Sequence, residues 1–166
     1  MAKKISVIAM FTAFAILVSF IETFIPSIGI PGVKLGLANI VIILAIYLLD
    51  FRYAIVIDLA RILIMGFLFG NVISILFALG GATLSILVMV LMKKFSDLSI
   101  VTVSVFGGVF HNIGQLLIGL IVVSSYSVLT YLPVLLIAGI ICGMVIGILA
   151  KIMLDRTSKL VKKLGV

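Results

Sequence analysis

The side chains best suited to chemistry are His111, Asn112 and Gln115, which interrupt a largely apolar segment over residues 100–123. His111 and Gln115 are four residues apart, so they share one face if the segment is helical. Their imidazole and amide groups can transfer a proton, bind a ligand or join two helices. Inside a bilayer each group needs a partner, so the cluster predicts a helix contact or a binding cavity.

The composition of the chain places this cluster in a membrane. Of the 166 residues, 65% are hydrophobic and 10% are charged, and the mean hydropathy is +1.56. Soluble domains have about 25% charged residues. The net charge of +7 does not indicate nucleic-acid binding, because the basic residues lie between apolar segments and in the tail. We predict a multi-pass protein of the cytoplasmic cell membrane, with one domain over residues 1–154 and a basic cytoplasmic tail over residues 155–166.

Six apolar segments must position the polar side chains. They cover residues 5–25, 33–49, 53–69, 72–92, 100–123 and 128–154. With the N-terminus inside, the basic residues that connect the segments are cytoplasmic except for Lys34, as the positive-inside rule requires. The third segment carries Asp58 and Arg61, so that side must face protein. The predicted fold is all-α, with six transmembrane helices and both termini in the cytoplasm.

The depth of each polar group follows from a rise of about 1.5 Å per residue across a core of roughly 30 Å. On this count several polar residues fall in the outer half of the membrane, and Arg61 lies below them. Together they predict a substrate pocket that opens to the outside and has Arg61 at its floor. Its predicted residues are Glu22, Lys34, Asn39, Arg61, His111, Asn112 and Gln115.

Each of these residues also has a structural interpretation. Asp58 and Arg61 are three residues apart and can form an ion pair that merely neutralises both charges. The amides and the imidazole can hydrogen-bond one helix to another. Lys34 can extend to lipid head groups, and Glu22 can mark the end of a helix. The sequence alone leaves these alternatives open.

Small residues form two stripes at helical spacing. Ala9 and Ala13 lie on the first segment, and Gly139, Gly143 and Gly147 lie on the sixth. Small residues spaced in this way allow helices to approach closely. For the glycine stripe we favour internal packing. For Ala9 and Ala13, internal packing and a docking face for another subunit are equally open.

The chain has no motif that predicts catalysis. It has no P-loop, so energy from ATP would have to come from another chain. It has no paired Asp-rich motifs to hold magnesium and a diphosphate. One histidine and scattered acids argue against a metal site. We therefore predict no catalytic residue, no metal and no cofactor, and an enzyme acting on lipid diphosphates remains the least favoured interpretation.

Several motifs in this order resemble one bacterial membrane family, heptaprenyl diphosphate synthase component I, which is also called the Gx transporter family. They are residues 31–39, Leu59-Ala60-Arg61, Gly80-Gly81 and residues 111–115. The resemblance covers about residues 5–150. Because the Asp-rich motifs are missing, the enzyme name implies association with a prenyl synthase rather than catalysis in this chain.

That family is in turn similar to the substrate-binding S components of energy-coupling factor (ECF) transporters. The similarity implies six helices, a pocket near the outer face beneath the loop between the first two helices, and release driven by two ATPases on a shared coupling subunit. Residues 26–32 match the loop that covers the pocket. Ala9 and Ala13 match the pair that docks to the coupling subunit.

Two functions follow as hypotheses. The first is an S-component-like subunit that binds and translocates a small anionic or hydrogen-bonding compound, related to isoprenoids, quinones or vitamins. Its partners would be the bilayer, the coupling subunit and two ATPases. The second is a membrane accessory subunit of heptaprenyl diphosphate synthesis, without transport, whose partner would be a soluble prenyl synthase.

Overall fold

The computed structural model describes residues 2–25 and 36–164, with side chains over residues 3–25 and 36–157. The described residues form six α-helices and one 3₁₀-helix, so the predicted all-α fold is confirmed. The α-helices are α1 (Ala2–Glu22), α2 (Asn39–Leu48), α3 (Phe51–Phe69), α4 (Val72–Phe95), α5 (Ile100–Val123) and α6 (Leu132–Leu164). The 3₁₀-helix, Tyr126–Tyr131, precedes α6.

Four of the described helices, α1, α4, α5 and α6, are long and apolar enough to cross a membrane. The other two differ. Helix α2 has 10 residues, which makes it about 15 Å long, half of a bilayer core. Helix α3 carries Arg52, Asp58 and Arg61. The chain is therefore a membrane protein whose short helix and charged helix depend on protein neighbours.

Helix α2 lies at the centre of the bundle. All residues from 41 to 46 are buried, because this helix is apolar on every side and must be surrounded. It packs mainly against α3 and α6. The predicted start of this helix at about residue 33 is wrong. Gly36 has a φ of 79°, which no right-handed helix contains, and the helix begins only at Asn39.

Helices α4, α5 and α6 pack through glycines. A Cβ on Gly139 would lie 2.9 Å from the Gly108 carbonyl oxygen, and a Cβ on Gly143 would lie 2.7 Å from the Val105 Cα. Gly147 meets the backbone of α5 in the same way. The predicted internal packing of this glycine stripe is confirmed, since any side chain there would separate α5 from α6.

Polar side chains fix several helix ends. Asn71 and Ser74 form a reciprocal capping box at the start of α4, after the turn that Gly70-Asn71 predicts. At the other end of α4, Lys93 Nζ donates to the Ile46 carbonyl oxygen at 2.6 Å and lies 4.7 Å from the Tyr47 ring centroid. Lys93 thus ties the end of α2 to α4.

The boundary between the domain and the tail stays a prediction. Helix α6 has 33 residues and continues past Asp155 to Leu164. Its length of about 50 Å exceeds the bilayer core, so the tail begins as a continuation of the last helix.

Candidate functional site

The middle of α5 carries the buried polar residues His111, Asn112 and Gln115, each exposed by 3% or less. His111 Nε2 and Gln115 Nε2 are 3.0 Å apart. With the amide nitrogen as donor, the imidazole accepts at Nε2 and carries its proton on Nδ1. The two side chains therefore orient each other along one face of α5, as their spacing predicts.

The turn before α2 meets this face. A Cβ on Gly36 would lie 3.2 Å from Asn39 Nδ2, 3.2 Å from His111 Cδ2 and 3.3 Å from His111 Nε2. The Asn39 amide and the His111 imidazole therefore flank the same point. The left-handed φ of Gly36 brings the backbone to that point, and glycine adopts such a φ without a steric penalty. The structure thus brings together two residues that are 72 positions apart in the sequence.

The opposite side of the imidazole faces α4. A Cβ on Gly81 would lie 2.8 Å from His111 Cε1 and 2.9 Å from Nδ1. Only a residue without a side chain leaves room for the ring here. Ser85, one turn along α4 from Gly81, is fully buried, and its hydroxyl has no hydrogen-bond partner among the described protein atoms. The imidazole is thus held between two glycines from different helices.

Glu22 of α1 joins the cluster through the Gly36 backbone. Its side chain is 4% exposed, and its Oε1 accepts the Gly36 backbone N–H at 2.6 Å. Hydrogen bonds to a charged acceptor are roughly twice as strong as neutral ones. The carboxylate therefore fixes the turn that presents Gly36 and Asn39 to α5.

Arg61 is held by its own helix. Its guanidinium forms an ion pair with Asp58, with Nε donating to Oδ1 at 2.7 Å, and Nη1 donates to Ser19 Oγ at 3.2 Å. Asp58 and Arg61 therefore form the ion pair that their spacing allows, and Ser19 joins the pair to α1. A position of Arg61 at the floor of a pocket stays a prediction.

Asn112 faces a different neighbour from His111. Its Nδ2 donates to the Leu135 carbonyl oxygen of α6 at 2.7 Å. Adjacent residues of a helix point about 100° apart, so His111 is directed to α2 and α4 while Asn112 is directed to α6. The structure gives Asn112 a role in joining helices, and its predicted contact with a ligand stays a prediction.

The cluster retains hydrogen-bonding capacity that the described protein atoms do not use. Buried atoms of the cluster without a partner among them include Asn39 Nδ2, Asn112 Oδ1 and Gln115 Oε1. Buried polar groups are nearly always hydrogen-bonded, and in a membrane an unpaired one is especially unfavourable. A region that keeps both donors and acceptors unpaired is suited to bind a molecule that supplies their partners.

Two further predictions concern other parts of the chain. Lys34, together with the covering loop predicted at residues 26–32, lies outside the described residues. Ala9 and Ala13 lie on an exposed face of α1, where a neighbouring subunit has access to them. Among the described residues, no group of three His, Cys, Asp or Glu side chains is placed to hold a metal.

Sequence reasoning missed two contributions to the site. Ser19 binds Arg61, and Gly81 forms the α4 wall against the imidazole. The signal for Ser19 was its position three residues before Glu22, whereas Gly81 was noted only as part of a family motif. Isolated serines in apolar helices are common, so the spacing alone did not identify Ser19.

The comparisons with known proteins agree with the resemblance of the motifs. The family model of heptaprenyl diphosphate synthase component I matches residues 11–153. No curated protein and no solved structure matches the chain. The match covers α2 to α5 in full and parts of α1 and α6, and it includes every described residue of the cluster. The chain therefore belongs to the heptaprenyl diphosphate synthase component I family.

Proposed function

We propose that this protein is a multi-pass subunit of the cytoplasmic membrane that binds a small molecule for translocation, in the manner of an ECF S component. One observation carries the proposal: the amides of Asn39 from α2 and Gln115 from α5 lie beside His111 and are buried but incompletely paired. A cluster that served only to join helices would pair its amides with one another. Ligand sites are typically apolar cavities with a few polar groups of this kind.

The chemistry of the cluster limits the chemical class of ligand that it can bind. Asn39 offers an amide donor, Gln115 offers an amide acceptor, and His111 offers either. The guanidinium of Arg61 is already paired with Asp58. The described cluster therefore favours an uncharged group with adjacent donors and acceptors, such as a hydroxylated ring or a cyclic amide. Lys34 would supply the recognition of an anionic group. Compounds related to isoprenoids, quinones or vitamins satisfy this description.

The proposed orientation places both termini in the cytoplasm. It rests on the basic residues at one end of the bundle, among them Arg52, Lys93 and Lys94, because basic residues are enriched in cytoplasmic connections. In this orientation Glu22 and the start of α2 lie toward the outside. The cluster would then receive its ligand from the outer face.

A second function remains open because of the family name. A membrane accessory subunit of heptaprenyl diphosphate synthesis would use the same helices to hold a soluble prenyl synthase at the membrane. In that case the polar cluster would be a structural feature. The two functions differ in the partner that they require and in the role of His111.

Ligand binding is tested with the neighbouring variants His111→Ala and Asn112→Ala. The first step is mass spectrometry of small molecules that co-purify with the detergent-solubilised protein. We expect His111→Ala to weaken binding of the identified compound about tenfold, as loss of roughly 1.4 kcal/mol would do, whereas Asn112→Ala should leave the affinity nearly unchanged. Asn112→Ala should mainly lower the thermal midpoint, since it removes the bond to α6. Equal affinity in wild type and His111→Ala would mean that the cluster has a structural role and does not bind the compound.

The partner is tested by co-purification. Leucine at both Ala9 and Ala13 should prevent capture of an ECF coupling subunit and its ATPases, because the close approach of helices needs small residues. Ile21→Phe is the matched control, since Ile21 is 53% exposed on the same helix and lies about two turns beyond Ala13. Retention of a soluble prenyl synthase in place of the coupling module would favour the accessory function.

A further inference from the structure

Helix α6 carries an exposed apolar face along most of its length. Val134, Ile141, Val145, Ile148 and Ile152 are each about half exposed. They follow one another at intervals of seven, four, three and four residues, so they share one side of the helix. Val134 and Ile152 are about 27 Å apart along the axis, which is close to the roughly 30 Å of a hydrocarbon core. This side of α6 therefore contacts acyl chains across the whole core.

The same side becomes basic directly beyond Ile152. Arg156, Lys159 and Lys163 follow at intervals of four, three and four residues, and α6 remains helical as far as Leu164. We call these three residues the basic stripe. Arg156 is exposed and lies about 6 Å beyond Ile152 along the axis, at the level of the lipid head groups. The surface that contacts acyl chains thus becomes cationic where the phosphates of the lipids begin.

The charge of this segment is not distributed around the helix. Met153 packs against the apolar core, and Leu160 and Leu164 follow it in register, so the side opposite the basic stripe is apolar. Asp155, the only acidic residue in the sequence of α6, can neutralise one of the five basic residues after Ala150. A net positive charge therefore remains on the side that continues the lipid contact.

The other end of the same helix face has different chemistry. Residues 124–134 contain no charged residue, and they include Tyr126 and Tyr131, which are both exposed. Tyrosine is enriched at membrane interfaces of any lipid charge. One face of α6 therefore presents cations to one leaflet and uncharged aromatic rings to the other.

We propose that the basic stripe binds the phosphates of anionic phospholipids whose acyl chains lie along the apolar face of α6. An acidic protein would also complement the charge, but the stripe is continuous with the surface that contacts lipid. Each Lys or Arg near an anionic membrane surface strengthens attraction about fivefold. The proposal does not depend on the ligand or the partner of the His111 cluster.

The test uses the absence of tryptophan from the sequence, because a single introduced tryptophan then reports on the lipid beside it. Ile152→Trp probes the basic end of the face, and Val134→Trp probes its uncharged end. Each full-length variant is reconstituted in vesicles of equal parts phosphatidylglycerol and phosphatidylcholine, with brominated acyl chains on one lipid or the other. Bromine quenches tryptophan on contact. We expect phosphatidylglycerol to be preferred at least about fivefold in Ile152→Trp, and neither lipid to be preferred in Val134→Trp.

Charge variants in the Ile152→Trp background locate the site. Replacing all three bases of the basic stripe by glutamine should remove the preference for phosphatidylglycerol. The matched control replaces three bases at the starts of α1 and α3 by glutamine and should retain the preference: Lys3, Lys4 and Arg52.

Three results would overturn the proposal. The first is equal quenching by the two brominated lipids in Ile152→Trp. The second is a preference that survives without the basic stripe. The third is equal quenching together with capture of an acidic soluble protein that requires the stripe, which would assign the stripe to a protein contact.

Discussion

Glycines perform different tasks at two places in this bundle. Between α4 and α5, Gly80 and Gly114 place backbone against backbone, with the Gly114 carbonyl oxygen 2.9 Å from a Cβ built on Gly80. Around His111, Gly36 and Gly81 place backbone against the two sides of an imidazole. The first pair joins helices and the second makes room for a functional group. The same residue type thus allows helix packing in one region and leaves room for a polar side chain in the other.

This difference shows what a glycine stripe can and cannot indicate. Small residues at helical spacing predict close approach of a neighbour, but they do not say whether that neighbour is a backbone or a side chain. Substitution distinguishes the two cases. A backbone neighbour cannot be removed by a second mutation, whereas a side-chain neighbour can.

The largest effect is expected at the backbone contact. In Gly114→Ala the new methyl group would lie 2.7 Å from the Gly80 carbonyl carbon and 2.9 Å from the Gly81 Cα. The helices must separate, so we expect a loss of about 3 kcal/mol in unfolding free energy, at the upper end of overpacking effects. Unfolding in mixed detergent micelles measures it. Unchanged stability would contradict the backbone contact.

A smaller effect is expected at the imidazole contact, and a second substitution should remove it. Gly81→Ala places a methyl group 2.8 Å from His111 Cε1, which should lower the unfolding free energy by about 2 kcal/mol. In the His111→Ala background the same change should have almost no effect, because the ring is gone. A double-mutant cycle measures this coupling, and additive effects would show that the two residues do not interact.

Gly36→Ala should cause an intermediate loss of stability that a second substitution does not recover. Its φ of 79° costs a residue with a Cβ about 1–2 kcal/mol. This penalty is set by the backbone, so His111→Ala should recover only a small part of it. Thermal melts of the two single variants and the double variant test this. Full recovery would mean that steric contact, and not the backbone, controls the position.

The smallest effect is expected at Gly119. A Cβ there would meet only side-chain atoms, the nearest being Phe77 Cε1 and Val128 Cγ1 at 3.3 Å. The gain in helix propensity from glycine to alanine, about 1 kcal/mol, should offset this contact. We expect Gly119→Ala to change the unfolding free energy by no more than about 0.5 kcal/mol, which makes it the control for the other glycine variants.

The sequence predicted the helical architecture well, because apolar length and charge placement determine it. Helix α5 was predicted with its exact bounds, and the turn at Gly70-Asn71 lies where it was expected. The start of α2 was predicted too early. Residues 33–49 read as one apolar run, and apolarity alone does not reveal that Gly36 takes a left-handed conformation.

The site was predicted only in part. Depth along each helix, counted from the sequence, placed Asn39 in the outer half of the membrane and His111 near its midplane, and the structure brings both beside Gly36. Rotation about each helix could not be derived, because an almost uniformly apolar sequence has no polar face to orient it. This is why the α6 contact of Asn112 and the Ser19 contact of Arg61 appear only in the structure.

The shortness of α2 has an electrical consequence. A helix carries about half a positive charge at its N-terminus and half a negative charge at its C-terminus. In α2 the first pole is buried and the second is half-buried. Glu22 stands beside the first pole, and Lys93 binds the second through Ile46. The helix is therefore a short dipole with a counter-charge at each end. A negatively charged molecule that approaches the first pole must compete with Glu22, whereas a neutral molecule need not.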